Sequence, residues 1–367
     1  SLGGTITLTG ADVNVDAPAG TLTVQTANAA IGINTTGATI IADGDDLTVT
    51  SGTGGGSVSL DSIRGATTAN NKNVSVTAGT GTVEIDGQVG ASAVAGSREI
   101  NNVTIQADDF DLPGGASTTD PLTIDGALTV YTQTATREML FGAADGAKFN
   151  LTDAEIARIQ EVSSGASAIV IGEAGTQEGE IRFTTADFDT NLNSGAGADV
   201  VVSADAGAGS IYFDDEDTGA ALDVGDGQLD LLAGTGGISA ENFAHTGDSI
   251  AEPEIETTGV INLTAGAGAA IGGDQSSSPD PGPVLGPIQI QDGHTEVNVL
   301  NAPGGAYLEG IGTELAMGTV SGTVGELVLS VFDPNGLIRL TEDIDTDGAS
   351  LTFSRRVRID EPGVDIT

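Results

Sequence analysis

The chain has 367 residues, 53 of them Asp or Glu against 11 Lys or Arg, for a formal net charge of −42. That balance argues against nucleic acid or an anionic membrane as partner, since either calls for clustered Lys and Arg. There is no Cys, which removes disulfides and thiolate metal sites, and no apolar run of about 18 residues that would span a membrane as a helix.

The apolar residues are mainly Ala, Val, Ile and Leu, with nine Phe, three Tyr, no Trp and 55 Gly. This suits a narrow core filled by stacked inward rows, with several corners per coil. One phrase recurs: apolar, any, apolar, a short gap, a Gly-rich corner, then apolar, any, apolar. Its clearest copies run from Leu47 to Leu60 and from Val74 to Ile85, with others starting near Leu22, Val200, Leu229, Ile261, Val297 and Leu327. Starts mostly lie about 25 to 36 residues apart, a solenoid period. The alternation predicts half-buried strands, and the Gly pairs predict turns needing positive φ or lacking room for a Cβ.

In chain order, residues 1–135 read as strand and corner almost throughout, as in Thr5-Ile6-Thr7-Leu8, Val103-Thr104-Ile105 and Leu128-Thr129-Val130. The period then changes once. Leu151 to Gln160 predicts a short flanking helix, with Thr152 and Glu155 as a capping box and Leu151 and Ile156 at staple positions. Strand text resumes at Ala168-Ile169-Val170-Ile171. Residues 245–258 read as an acidic side loop, and 272–287, with four prolines, as a loop that cannot hold a central strand. The expected organisation is a solenoid over 1–271 with the helix inserted near 152–160, the loop 272–287, and a continuing solenoid over 288–367. Both ends read as cut from the same repeating fabric, as in a segment of something longer.

The phrases Val76-Thr77-Ala78-Gly79-Thr80-Gly81-Thr82-Val83, Leu122-Thr123-Ile124-Asp125-Gly126-Ala127-Leu128-Thr129-Val130, Leu151-Thr152-Asp153-Ala154-Glu155 and Ile344-Asp345-Thr346-Asp347-Gly348-Ala349-Ser350-Leu351-Thr352-Phe353 resemble stretches of very large bacterial surface proteins of the filamentous-haemagglutinin-like class. The likeness covers most of the chain. It implies an all-β, right-handed parallel β-helix, secretion to the bacterial cell surface, and a role in adhesion or surface structure. The secretion domain of that class is not recognisable here.

Candidate sites are few. Asp343, Asp345 and Asp347 begin a D-x-D-x-D-G calcium pattern, but position twelve is Ser354 rather than the bidentate Glu of a full loop. A plain Thr-Asp-Gly corner is the competing reading. Asp214, Asp215 and Asp217, and the group Asp43 to Asp46, are further candidates for weak calcium, against the default of solvated acidic turns. No cofactor is otherwise expected. Arg355, Arg356 and Arg358 form the one basic cluster, a contact patch for an acidic neighbour or a solvated strand with Val357 and Ile359 inward. His245 and His294 fall in no metal or triad pattern. Thr-x-Thr does not recur at one position in every coil, which argues against a regular hydroxyl face. The expected function is a structural segment of an extracellular adhesin or fibre, not an enzyme, with copies of itself, adjoining segments or surface glycans as partners. The alternatives are a subunit assembling end to end into a filament or sheath, and a polysaccharide-active β-helix enzyme.

Overall fold

A computed structural model describes residues 4–16, 20–67, 71–90, 100–113, 122–162, 169–188, 199–214, 219–240, 253–273, 286–360 and 364–366. The protein is almost all β, with long parallel sheets. It divides into two compact units, Ser1–Glu173 with Thr190–Ala198, and Ala174–Asp189 with Asp199–Thr367. Parallel pairing of alternating strands is what the repeated phrase predicts of a β-solenoid.

In unit 1 the strand Thr21–Gln25 pairs with Asp46–Thr50, which pairs with Asn73–Ile85. The series continues through Asn102–Asp111, Leu128–Tyr131 and Ile169–Ile171. Period-two alternation turns Val49, Val76, Ile105, Val130 and Ile171 inward as one row, buried almost completely. Each return of the chain adds a strand about 4.8 Å further on. Leu22 meets Leu47, but Leu128 meets Ile169, a longer excursion that holds the helix. A second parallel sheet joins Val13–Val15, Thr39–Ile41 and Ile63–Gly65. Between the two halves of Asn73–Ile85 the corner is Gly79, at φ 56°. A Cβ there would overlap the backbone of Thr53 and Gly54 in the preceding coil, so Gly is required twice over.

Thr23, Thr48, Ser75, Thr104 and Thr129 occupy the same outward position on five successive strands, a single hydroxyl row. Gln25, Gln106 and Tyr131 interrupt the next outward position, so Thr-x-Thr does not recur, as expected. The helix is shorter than expected. It spans Asp153–Ile156, and a strand begins at Ile159. Leu122 N–H donates to the Arg158 carbonyl at 2.7 Å, and Ile159 stands in register with Leu122, so strand pairing ends the helix.

Unit 2 stacks Val200–Ala204, Leu229–Ala233, Val260–Thr264, Glu296–Asn301, Glu314–Val320, Leu337–Leu340 and Arg356–Ile359. A second series runs through Ala186–Asp187, Leu222–Gly225, Ile255–Thr257, Ile288–Gln291, Ala306–Ile311, Glu326–Val331 and Ser350–Phe353. In a third, Phe183 stacks on Phe213 with ring centroids 5.8 Å apart. The expected acidic loop thus ends early, because Ile255 fills the buried row of Leu222 and Ile290. Residues 245–252 and the prolines of 274–285 lie outside the described residues. Among the described residues no helix is long and apolar enough to cross a membrane.

Candidate functional site

A cleft of about 390 Å³ lies in unit 1 where the end of Asn102–Asp111 meets the helix. Asp109, Asp111 and Glu155 line it, with Phe110, Leu112, Asn150 and Thr152. Alternation buries Phe110 and Leu112 and leaves Asp109 and Asp111 facing outward, and Phe110 packs on Phe149 at 6.5 Å. Glu155 arrives from the helix. Its Oε2 accepts from Thr152 N–H and from Thr152 Oγ1, both at 2.8 Å, and its Oε1 accepts from Leu112 N–H at 2.9 Å. The back-reaching half of the capping box therefore clasps the helix to the strand end.

Asp111 stands beside that carboxylate and in register with Glu84 on the preceding strand. Burial, and then Glu155 next to it, push Asp111 up to about 6. Burial also raises Asp109, against hydrogen bonds from Asn150 and Phe110 that favour its charge. The cleft can hold and release a proton. It resembles a general-acid site in this respect, but Glu155 already accepts three hydrogen bonds.

The sequence-predicted carboxylates that are described are committed to backbone N–H groups or to neighbouring side chains. Asp343 accepts from Asp365 N–H and Asp345 from Asp347 N–H, both at 2.9 Å. Ile344 between them is buried, and Asp347 and Gly348 carry φ of 52° and 80°, the geometry of a corner. Asp43 is ion-paired to buried Lys72 at 2.9 Å, and the Thr67 hydroxyl followed by Lys72 holds it below the usual carboxylate range. Asp46 accepts from Asn73 N–H and its side-chain amide, both at 2.9 Å. Asp214 accepts from Arg182 at 3.0 Å, while Asp215 and Asp217 lie outside the described residues. Among the described residues no group of three or more His, Asp or Glu is arranged to hold a metal ion.

The basic cluster is held within its own unit. Arg355 donates to the Asp333 carbonyl at 3.2 Å, Arg356 to the Asn335 carbonyl, and Arg358 to Asp360 at 2.5 and 3.0 Å. Val357 and Ile359 continue the buried row of Ile338 and Leu340, yet are 39% and 52% exposed, since no described strand of this sheet lies beyond them.

Sequence reasoning missed Arg158, whose side chain is 0% exposed. Its guanidinium donates to the carbonyls of Ile85 at 3.1 Å, Gly87 at 3.0 Å and Pro113 at 2.7 Å. A planar fork of donors suits three converging carbonyls. One Arg after a short helix carries no local sign of this. No family model, curated protein or solved structure matches the chain.

Proposed function

We propose that the chain is a structural segment of an extracellular bacterial adhesin or surface fibre, wound as a right-handed parallel β-helix. The observation that supports this reading is the in-register stacking within each unit, with inward rows filled and outward polar groups spent on bonds between coils. Asp46, Asn73 and Asn102 form one such polar ladder, and Asp230, Asn262 and Asn298 another. A molecule built this way acts through extent and surface. Its partners would be further copies, adjoining segments or surface glycans, with calcium or high salt easing repulsion among its carboxylates. Antibodies raised against the chain should label intact producing cells. Labelling only after permeabilisation would overturn the assignment.

Two alternatives have their own tests. In an end-to-end filament, Arg355, Arg356 and Arg358 would meet acidic coils of the next copy, and Arg356→Glu with Arg358→Glu should weaken association seen by light scattering. A polysaccharide-active enzyme would use the Asp111 cleft as general acid, and Asp111→Asn should then abolish glycan cleavage. The bonds already made by Glu155 favour the structural reading.

A further inference from the structure

We propose that His294 is an acid-sensitive pin in unit 2, holding the start of the strand Glu314–Val320 only while its ring is neutral. The imidazole is 5% exposed. Its Nδ1 lies 2.8 Å from the Gln291 carbonyl, and its Nε2 lies 3.0 Å from the backbone nitrogen of Ala316. A carbonyl only accepts and an amide N–H only donates. One tautomer satisfies both, with the proton on Nδ1 and a bare Nε2. A second proton would set two donors face to face and leave Ala316 N–H without its acceptor in a buried site.

The pin acts ahead of the ladder. Pairing of this strand with Glu296–Asn301 begins at Met317 with Val297, and its register shift lies further on, between Met317 and Val320, so residues 313–316 precede the first backbone pair on that side. Side chains of the turn at 292–294 take the ladder's place there. Asp292 accepts from Thr313 N–H at 2.7 Å, from the Thr313 hydroxyl at 3.0 Å and from Glu314 N–H at 2.9 Å. His294 adds the next grip, two residues on.

The charged groups facing the ring are Asp292 on its own turn and Glu314 on the adjoining strand. Glu314 is held in turn by Arg339 of Leu337–Leu340 at 2.6 Å. On the opposite side Thr295 bonds to the carbonyls of Gly259 and Thr258, which carry no charge. Burial outweighs the hydrogen bond to the Gln291 carbonyl and the pull of the two carboxylates, and holds His294 below its ordinary value. A depressed folded value means that the ring's contribution is complete above the ordinary 6.5 and is lost as pH falls through the folded value. Mild acid therefore releases Ala316, while the bonds from Thr313 and Glu314 to Asp292 do not involve the ring. The fold loosens at one coil without coming apart, whatever the chain's role.

The test uses the whole chain. With two histidines, NMR gives two imidazole signals, and His294→Gln assigns them by loss. His294 should titrate below 6.5. Between about pH 7 and about pH 5, the Ala316 amide should lose roughly tenfold in hydrogen-exchange protection, corrected for intrinsic rates. The Thr313 and Glu314 amides should keep theirs. In His294→Gln, whose amide oxygen can accept without titrating, Ala316 protection should be flat over the same range. Titration at or above 6.5, unchanged Ala316 protection through the titration, or the same pH loss in His294→Gln would overturn the proposal. If that variant does not fold, the wild-type titration and exchange still decide.

Discussion

The two units solve one problem with different chemistry. Wherever parallel strands joined by connections of unequal length meet, some backbone groups miss the sheet ladder and need side-chain partners. Unit 1 meets this with charged groups. Arg158 gathers three carbonyls, Glu155 clasps the helix, and Lys72 is sunk beside Asp43. Unit 2 relies ahead of the Met317 pair on a neutral imidazole, with Asp292 and the Asn262–Asn298 ladder alongside. Buried charge is costly to strip of its partners, and a neutral ring is costly to charge. The units should therefore differ in what breaks them, and in the direction of their response to pH.

The largest effect expected is from Arg158→Ala, which leaves three carbonyls without their donor and should cost unit 1 about 3–5 kcal/mol. Hydrogen exchange read by mass spectrometry should show lost protection in unit 1 and little change in unit 2. Equal loss in both would break the comparison. Next comes Gly79→Ala, where positive φ and overlap with Thr53 and Gly54 together should cost about 2–4 kcal/mol in denaturant unfolding. A near-neutral result would mean that this corner can spread.

The pH response sharpens the contrast. Asp111 is raised from 3.8 to about 6, so its contribution is complete below 3.8 and fades as pH climbs through about 6. Unit 1 should weaken with rising pH over that window, by on the order of 1 kcal/mol once solvent screening of a half-exposed carboxyl is allowed for. His294 gives unit 2 the opposite slope. Asp111→Asn should flatten the unit 1 response alone, and a variant that keeps the slope would move its origin to another group. The smallest effect concerns stacked like charges. Asp187, Asp223 and Glu256 stand in register on three successive strands of unit 2. Asp223→Asn should raise the melting temperature slightly, worth about 0.5 kcal/mol, and less in high salt. A gain that persists in high salt would exclude screening as its basis.

The strands were legible because alternation is local. Leu47-Thr48-Val49 and Val74-Ser75-Val76 read as strands and pair as such. The start of the helix was legible in Thr152 and Glu155, but its end was not, since pairing with Leu122 sets it. Ile255–Thr257 was missed because its acidic flanks outweigh one inward Ile. The single hydroxyl row at Thr48, Ser75 and Thr104 was missed because connection lengths vary and register follows from them. Nothing in Asp108-Asp109-Phe110-Asp111 distinguishes that cleft from other acidic stretches, because Glu155 reaches it from another part of the chain.

The amino-acid sequence by itself determined the β character, the need for Gly at the corners, the capping box and the acidity. All of these rest on residues within a few positions of one another or on composition alone. The tertiary structure decided which polar side chains lie inside and in what state. Arg158 finds the carbonyls of Ile85 and Gly87, Lys72 finds Asp43, and His294 finds Ala316, each across a distance in sequence that no local pattern spans. Burying such a group is unfavourable until its partners are in place, and only the stacking of parallel strands puts them there.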